Sequence, residues 1–301
     1  MQIANKLLMV RPARFAYNEQ TERNNCFQAR LPIPNIHEKA CEEFDNLVAV
    51  LRKSKIEVVV VQDTLEPHTP DSIFPNNWFS THSTGELILY PMFAQNRRLE
   101  RKSQVLDTIK EHFRIHKVID LTDWENKNRF LEGTGSLVLD NNNRVVYACR
   151  SERTDDIVFE EFCTKMNFEP QLFNAYDENK EKIYHTNVML SIGEKYAVIC
   201  ADSIIDNKRK AKVIETLENA EKEVLDISFK QMRSFCANIL EVRNSENEHC
   251  LIMSEKARKA FTSEQIKRLE RHCKVISSPL NIVEEIGGGS SRCMLAELFC
   301  I

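Results

Sequence analysis

The sequence predicts a mixed α/β fold arranged as a closed ring of five repeated units. Helical stretches alternate with short β-branched runs along the whole of residues 1–301, which is typical of α/β proteins. Polar residues that open or flank short apolar strands recur every 53 to 55 residues, at Asn77, Glu132, His185, Asn238 and Cys293. Such a spacing, with two or more strands and a helix in each unit, predicts a ring in which side chains from one end converge on the axis.

The individual elements follow from local periodicity. Apolar residues at helical spacing predict helices at 37–54, 96–113, 155–166, 206–221 and 263–272. Short β-branched runs predict strands at 56–61, 86–90, 117–121, 136–139, 144–148, 186–191, 195–200, 238–242 and 249–253. No linker rich in proline, glycine or serine divides the chain, so we predict one domain over residues 1–301.

The composition is that of a soluble globular protein, with 42% hydrophobic and 29% charged residues. The formal net charge is −4 and no basic tract occurs, so nucleic acid is not an expected partner. The apolar run at 7–10 is too short for a signal-peptide core or a membrane span, so we expect a cytoplasmic protein without membrane contact. Ten cysteines are spread from Cys26 to Cys300 without a Cys-x-x-Cys pair, and we expect most of them to be reduced.

Glycine is scarce, and its distribution marks two candidate sites. Only seven glycines occur, and five of them lie at 133, 135 and 287–289. Glycine is needed where the backbone takes a positive φ or approaches a partner closely. Cys293 follows the second cluster, in Gly-Gly-Gly-Ser-Ser-Arg-Cys-Met, where Arg292 supplies a positive charge that favours a thiolate. Cys293 is therefore a candidate nucleophile, with inert packing as the alternative.

His185 and Glu132 are candidate partners of that cysteine. His185 lies at the mouth of an apolar strand, in Tyr-His-Thr-Asn-Val-Met-Leu, where an imidazole can act as acid and base. Glu132 opens Leu-Glu-Gly-Thr-Gly-Ser, and the two glycines let other backbone approach its carboxylate. A structural histidine and an exposed turn glutamate are the alternatives.

Two arginines are candidates for binding a substrate carboxylate. Arg150 and Arg153 end a predicted strand and precede a helix, where a guanidinium can bind a carboxylate through paired hydrogen bonds or remain solvated. A metal site could also be assembled from Asp63, His68, Asp71 and His82. Their spacings match no ligand motif, so we predict no metal and no cofactor.

Several stretches together resemble the guanidino-group-modifying superfamily, the pentein fold of arginine deiminases, dimethylarginine dimethylaminohydrolases and amidinotransferases. Leu-Glu-Gly-Thr-Gly-Ser-Leu-Val-Leu resembles the Glu-Gly-Gly-Asp strand of deiminases, and Ser-Glu-Arg-Thr at 151–154 resembles their substrate-carboxylate segment. Gly-Gly-Gly-Ser-Ser-Arg-Cys-Met resembles their terminal nucleophile loop. The resemblance implies a five-fold pseudo-symmetric α/β propeller of ββαβ-type units and a catalytic triad of Cys293, His185 and Glu132.

Three further stretches resemble the branch of citrulline-utilisation hydrolases and amidinotransferase-like proteins. They are Met-Val-Arg-Pro at 9–12, Asn-Asn-Cys-Phe-Gln at 24–28 and Asp-Ser-Ile-Phe-Pro-Asn-Asn-Trp-Phe-Ser-Thr-His at 71–82. Asn25 and Asp71 are expected site residues on this resemblance alone.

Two positions depart from the deiminase pattern and bear on the substrate. Deiminases bind the guanidinium with two aspartates, and the matching positions here are Asn77 and Asn187. A guanidinium offers only donors, whereas a ureido group also has a carbonyl acceptor, so an amide that presents both donor and acceptor suits it better. The expected reaction is hydrolysis of citrulline to ornithine, ammonia and carbon dioxide, with Arg153 and Arg150 at the substrate carboxylate.

Other functions remain open at this point. A guanidine substrate, taken by an arginine deiminase-like or amidinotransferase reaction, is the nearest alternative, and a non-catalytic binding protein of the same fold is the next. The expected partner is a small amino-acid substrate. The sequence leaves open the oligomeric state, homo-oligomers included, the group that binds the substrate amine, and whether Asn238 belongs to the site.

Overall fold

Three-stranded sheets make up the β structure of the computed structural model, which describes residues 1–299. The strands are β1 Lys6–Arg11, β2 Glu57–Gln62, β3 Phe79–Thr81, β4 Glu86–Leu89, β5 Lys117–Asp120, β6 Val138–Asp140, β7 Val145–Cys149, β8 Glu169–Phe173, β9 Leu190–Ile192, β10 Tyr196–Ile199, β11 Glu223–Asp226, β12 Leu240–Arg243, β13 His249–Ser254, β14 Lys274–Ser278 and β15 Ala296–Leu298.

Helices connect and cover these strands. They are α1 Ile36–Lys53, α2 Gln95–Arg98, α3 Ser103–His112, α4 Gly133–Ser136, α5 Asp156–Met166, α6 Asn207–Asn219, α7 Phe229–Arg233, α8 Glu255–Ala260, α9 Ser263–Glu270 and α10 Ser291–Met294. Short 3₁₀ turns lie at Glu22–Asn24, Pro75–Asn77, Thr122–Lys127, Thr186–Val188 and Ala201–Ser203, and a π-helical turn lies at Val283–Gly287. No helix within residues 1–299 is both long and apolar enough to cross a membrane.

The same unit is repeated five times. In the sheets β3-β4-β5, β6-β7-β8, β9-β10-β11 and β12-β13-β14, the first strand pairs antiparallel with the second, and the second pairs parallel with the third. The fifth sheet has the same pattern but takes its first strand, β15, from the end of the described chain, where it pairs antiparallel with β1. Helices occupy the parallel crossovers, as such connections require. The predicted five-fold repetition is thus confirmed as five similar small sheets.

The residues that defined the predicted repeat occupy equivalent places. Asn77, Glu132, His185, Asn238 and Cys293 each lie a few residues before the first strand of a unit, within or beside a short turn. Because every unit places this turn at the same end of its first strand, the spacing follows directly from the repetition.

The first strands of all five units line one shared cavity, here called the axial cavity. One lining residue from each unit illustrates this arrangement: Phe79, Val138, Ser191, Leu240 and Ala296. Neighbouring units also touch directly, since β15 contacts β3, α4 contacts β3, β6 contacts β9, β9 contacts β12, and α10 contacts β13.

The helices bury their apolar faces against the outer sides of the sheets. In α1, Phe44, Leu47 and Leu51 are fully buried, and they recur at helical spacing on one face. Helix starts are fixed by side-chain caps. Asp155 and Asp206 accept hydrogen bonds from the first backbone N–H groups of α5 and α6.

Several predicted boundaries were wrong for local physical reasons. The helix expected at 96–113 is two helices, α2 and α3, because Arg97 turns inward and is held by Glu100 in the segment between them. The strands expected at 136–139, 186–191 and 238–242 begin later, because helical turns or a bend precede them. Strands β1, β3, β8, β11, β14 and β15 were not predicted.

Candidate active site

A small cavity, here called the site cavity, brings together most of the residues that the sequence singled out. Its lining consists of Asn25, Asp71, Phe74, Asn77, Arg97, Arg153, Tyr184, His185, Gly287, Gly288, Gly289 and Cys293. These residues come from turns at the ends of several units and from the segment between β1 and α1. Convergent polar groups in a small cavity are typical of a ligand site.

The glycine loop before Cys293 is shaped by close packing. Gly288 has a φ of 66°, a left-handed conformation that glycine adopts without strain. A Cβ atom on Gly289 would lie 2.9 Å from the Phe74 ring and 3.3 Å from the Cys293 Cβ, so no side chain fits there. Tyr184 donates a hydrogen bond to the carbonyl of Gly288 at 2.9 Å and ties the loop to the histidine-bearing segment. These contacts hold the loop in place.

The Cys293 sulfur lies among amide groups. Asn238 places its Nδ2 atom 3.3 Å and its Oδ1 atom 3.6 Å from Sγ, and the Nδ2 of Asn187 lies 3.7 Å from the same sulfur. Arg292, expected to supply the local positive charge, instead donates to Glu297 at 2.9 Å and to the carbonyl of Leu295 at 2.8 Å. Arg292 lines the axial cavity, because its long side chain extends toward Glu297 on β15.

His185 and Glu132 form a buried pair. The His185 Nε2 lies 2.9 Å from Glu132 Oε2, and the Nη1 of Arg153 lies 3.4 Å from the same carboxylate oxygen. The other oxygen, Oε1, accepts the backbone N–H of Phe93 at 3.0 Å. Three separate donors thus fix the carboxylate, and the carboxylate orients the imidazole.

The surroundings favour the neutral form of His185 and the ionised form of Glu132. Burial lowers the pKa of His185 to about 4, although the Glu132 hydrogen bond and charge oppose that shift. Burial alone would raise the pKa of Glu132, but Arg153 and the His185 hydrogen bond outweigh it and hold this pKa at about 2. At neutral pH the pair is therefore a neutral imidazole against a carboxylate, which can accept a proton and stabilise the cation that results.

The orientation of the Asn77 amide is fixed by its neighbour. Arg97 donates from Nη1 to Asn77 Oδ1 at 2.7 Å, and because arginine has no acceptor the oxygen must face it. Asn77 lines the site cavity, and its Nδ2 is buried without a hydrogen-bond partner. A residue of the cavity lining thus has a buried hydrogen-bond donor to spare.

Arg97 organises a buried charge network that the sequence did not reveal. Besides Asn77, it donates to Glu100 at 2.8 Å and to the carbonyl of Phe74 at 3.0 Å. Asp71 lies 3.9 Å away, accepts from Asn18 at 2.7 Å through one oxygen, and leaves the other, Oδ1, without a partner. Burial raises the pKa of Asp71, even though Arg97 and the Asn18 hydrogen bond oppose that shift. Glu100, which follows a short run of asparagine and arginine, carried no motif that would have indicated this contact.

The remaining predicted residues differ in where they lie. Arg153 is buried, lines the site cavity and packs over the Tyr184 ring at 4.8 Å, while its Nε donates to Asn24 at 3.1 Å. Asn25 lines the cavity, with its Nδ2 3.5 Å from the Gly288 carbonyl. Asn187 lines the axial cavity, and its Nδ2 contacts the sulfur of Cys293, which lines the site cavity.

Arg150 is not brought to the site cavity. It is half-buried, forms an ion pair with Asp156 at 2.8 Å and lines a separate surface pocket together with Tyr176 and Arg209. The expectation that Arg150 lies at the substrate site is corrected, because its guanidinium pairs with Asp156 and lines a different pocket from the one that Arg153 lines.

Several site residues were missed or left open. Arg97, Tyr184 and Phe74 line the cavity but were not singled out, although Tyr184 is next to His185 and Phe74 lies in the quoted stretch at 71–82. Asn238, whose role the sequence left open, contacts the Cys293 sulfur. Its position at the equivalent place of the fourth unit was the only sequence signal.

Metal-ligating side chains come close together elsewhere. Among residues 1–299, the one group with suitable geometry is Glu194, Glu241 and His249, whose ligand atoms lie within 4.8 Å of one another. His249 already contacts Glu241 at 2.6 Å and Arg243 already donates to Glu194 at 3.0 Å. These contacts satisfy the cluster without an ion.

Five repeated ββαβ-type units, with a buried cysteine and histidine at one cavity and a buried glutamate bonded to that histidine, match the guanidino-group-modifying, or pentein, superfamily. The family model of eukaryotic N,N-dimethylarginine dimethylhydrolases matches residues 11–300, and the chain belongs to that family. No curated protein sequence matches the chain significantly.

Solved structures share the fold at low sequence identity. The chain matches apo ArgZ, an arginine dihydrolase from the ornithine–ammonia cycle in cyanobacteria, with a TM-score of 0.72 and 18% identity over 98% of this chain and 41% of that one. It matches the N-terminal domain of a substrate-bound cysteine-to-serine mutant of ArgZ with a TM-score of 0.71 and 19% identity, over 98% and 99% of the two chains. A histidine-to-glycine variant of dimethylarginine dimethylaminohydrolase, as an adduct with S-methyl-L-thiocitrulline, gives a TM-score of 0.68 and 16% identity, over 98% and 99%. The chain thus spans less than half of full-length ArgZ, and these matches establish the fold alone.

Proposed function

We propose that this protein hydrolyses a C–N bond of a ureido amino acid through a covalent intermediate on Cys293, with citrulline as the substrate. The observation that carries the choice of substrate is the unpartnered Nδ2 of Asn77, a residue of the site-cavity lining. A ureido carbonyl would accept from this donor. A guanidinium, which has donors only, would leave it facing other donors.

The first half of the reaction forms a C–S bond. His185, neutral at pH 7, takes the thiol proton of Cys293, and the thiolate adds to the ureido carbon. Asn77 Nδ2 stabilises the negative charge that develops on the ureido oxygen. The C–N bond to one amine then breaks, and the imidazolium, stabilised by Glu132, gives its proton to the departing nitrogen.

The second half regenerates the enzyme. The thiocarbamate on Cys293 is attacked by a water molecule that loses its proton to His185. The C–S bond breaks, and the thiol recovers a proton. The carbamic acid that leaves decomposes to carbon dioxide and the second amine, so that citrulline and one water yield ornithine, ammonia and carbon dioxide.

Charged residues around the cavity would hold the amino-acid end of the substrate. Arg153 is the proposed partner of the substrate carboxylate, since it is buried, cationic and part of the lining. Asp71 keeps one buried oxygen without a partner, so it could receive the substrate ammonium. Asn25 remains a proposed contact from the loop between β1 and α1.

A guanidine substrate is the second candidate function. It is favoured by the names of the similar proteins, an arginine dihydrolase and a dimethylarginine dimethylaminohydrolase, and by the family model. The same Cys293, His185 and Glu132 would serve that chemistry. The two candidates differ in what Asn77 has to bind.

We also propose that the five sheets close into a propeller ring within one domain spanning residues 1–301. Support comes from the axial cavity, which all five first strands line, and from the contacts of β15 with both β1 and β3. The cytoplasmic location stays a prediction from the sequence, and the oligomeric state stays open.

A comparison of substrates tests the proposal. Turnover of citrulline, arginine, N,N-dimethylarginine and the decarboxylated analogue of citrulline should be measured side by side with the wild-type protein. We expect the highest kcat/KM for citrulline and a lower value for the decarboxylated analogue, which lacks the group that Arg153 would bind. Turnover of the guanidines without citrulline would overturn the ureido assignment.

A further inference from the structure

We infer that Asn238 is a hydrogen-bond donor to the Cys293 thiolate, and that with Asn187 it forms a two-amide cradle that favours the ionised nucleophile and aims it. The inference deepens the proposed function and rests on its assignment of Cys293 as the nucleophile. It gives a role to a residue that the sequence marked only by its place in the repeat.

The direction of the Asn238 amide is fixed by its surroundings. Its Nδ2 lies 3.3 Å from the backbone carbonyl of Asn187, and a carbonyl can only accept, so the nitrogen must face that side. The amide nitrogen has two protons. One is used by this carbonyl, which leaves the other for the sulfur 3.3 Å away.

Asn187 is arranged in the same way. Its Nδ2 donates to the backbone carbonyl of Thr134 at 3.2 Å and lies 3.7 Å from the same sulfur. Each amide nitrogen therefore spans one backbone carbonyl and Sγ. Both side chains are almost fully buried, at 1% and 2% exposed for Asn238 and Asn187, so water does not compete for these contacts.

No cation takes this role among the described residues. Arg292, the neighbour in sequence, is engaged by Glu297 and Leu295. The titratable side chains that share the cavity with the sulfur are Asp71, Arg97, Arg153, Tyr184 and His185. Within residues 1–299, side-chain hydrogen bonds to Sγ come from the two asparagines. A thiolate gains most from donors in a dry site, because the low local dielectric strengthens each bond.

The Asn238 amide also serves the protonated state. Its Oδ1 lies 3.6 Å from Sγ and could accept the S–H of the thiol. The nitrogen is the nearer atom, so removal of the amide should destabilise the thiolate more than the thiol. Asn238→Asp keeps the shape and the acceptor but replaces the donor with a negative charge, which should cost the thiolate still more.

The test reads the thiolate without any substrate. The ultraviolet absorbance of the thiolate is titrated against pH for wild type, Asn238→Ala and Asn238→Asp, with Cys293→Ser subtracted to remove the other cysteines. Alkylation of the Cys293 peptide by iodoacetamide, followed by mass spectrometry, gives an independent rate. We expect the titration midpoint to rise by about one pH unit or more in Asn238→Ala, which is a tenfold loss of thiolate below both midpoints.

A matched control comes from the other end of the same strand. Asn244 is also buried and also donates from Nδ2 to a backbone carbonyl, that of Ser54 at 3.2 Å, but it has no contact with Cys293. Asn244→Ala should leave the midpoint unchanged. A purely structural role for Asn238 would lower thermal stability in both variants and leave the Cys293 titration where it is in wild type.

The outcomes separate this inference from the proposed function. An unchanged midpoint and alkylation rate in folded Asn238→Ala or Asn238→Asp would overturn the cradle, whatever the substrate is. Should Asn238→Ala fail to fold, the nearly isosteric Asn238→Asp decides alone. A raised midpoint in a protein that does not turn over citrulline would support the cradle and refute only the substrate.

Discussion

The Glu132 carboxylate is held by three donors, and each has a distinct consequence. Phe93 N–H fixes one oxygen, while Arg153 and His185 share the other. The charge on this carboxylate is what allows a buried imidazole to become a cation during the reaction. The role of Glu132 can therefore be tested without changing its shape.

Glu132→Gln should lower kcat by about 10²–10⁴-fold, with a smaller change in KM, because the imidazolium of His185 loses its counter-charge. Steady-state kinetics on the preferred substrate checks this. Glu241→Gln is the control, since Glu241 is a buried glutamate that contacts a different histidine, His249, at 2.6 Å. Equal losses in both variants would mean that Glu132 acts only through folding.

Asn77 decides the substrate in our account. In Asn77→Asp one oxygen would keep the 2.7 Å bond to Arg97 and the other would present a negative charge to the cavity. We expect kcat/KM to fall at least about tenfold for citrulline and to rise for arginine, because a carboxylate repels the ureido oxygen and attracts a guanidinium.

Parallel assays of both substrates measure that change in preference. Asn76→Asp is the control, since the neighbouring Asn76 donates to Thr134 at 3.2 Å and is not part of the cavity lining. An unchanged ratio of the two substrates in Asn77→Asp would refute the argument from hydrogen-bond donors.

Much of the site could be predicted from single residues beside glycines. Cys293 and Glu132 stand next to the two glycine clusters, and the structure shows that those glycines allow close approach of backbone and rings. Arg97, by contrast, reaches the cavity from a helix end through contacts with Asn77 and Phe74, which lie 20 and 23 residues earlier in the chain. Contacts of that kind depend on tertiary packing and leave no local pattern.

At the level of elements, the short helix α4 is packed between two segments that bear site residues. A Cβ atom on Gly135 would lie 2.6 Å from Asn77 Nδ2 and 2.7 Å from the His185 ring. No such contact occurs in real structures, so the turn requires glycine. The predicted strand at 136–139 was placed too early because this turn occupies its beginning.

Gly135→Ala should lower kcat by at least about 100-fold. The added methyl group must displace the His185 imidazole or the Asn77 amide, and a shift of about 1 Å in a catalytic group costs about 100-fold in rate. Gly85→Ala is the control: Gly85 has a φ of 93° in the turn between β3 and β4, so alanine is strained there too. Activity per folded molecule, with folding followed by circular dichroism, should fall in Gly135→Ala and not in Gly85→Ala. Full activity in Gly135→Ala would contradict the packing described for α4.

At the level of the whole molecule, the five-fold repeat could be predicted because each unit contributes one polar residue at the same structural place. The pairing of β15 with β1 could not, because these two strands are separated by nearly the whole chain. Only pairing in three dimensions shows that the last strand completes the first unit.

Buried histidines make global stability depend on pH. His82 lies at the end of β3, is bonded to Ser80 at 2.8 Å, and burial lowers its pKa to about 3. The unfolded chain takes up a proton at this residue as pH falls through about 6.5, whereas the folded protein does not until about pH 3. Stability from this group is thus present above pH 6.5 and is lost as pH falls.

The difference in unfolding free energy between wild type and His82→Gln should therefore change by about 1.4 kcal/mol per pH unit below about pH 6, in favour of the variant. Urea unfolding at several pH values measures it. His112→Gln, at an exposed position, serves as the control for loss of an imidazole. A difference that stays flat between about pH 6 and pH 4 would show that His82 is protonated in the folded state.

The central claim is that Cys293 carries hydrolysis of a ureido amino acid. Its most direct test is the release of ornithine and ammonia from citrulline by wild type and by Cys293→Ser, with arginine assayed in parallel. We expect equimolar ornithine and ammonia from citrulline with wild type and no measurable release with Cys293→Ser. Release from arginine alone, or release from citrulline that survives in Cys293→Ser, would contradict it.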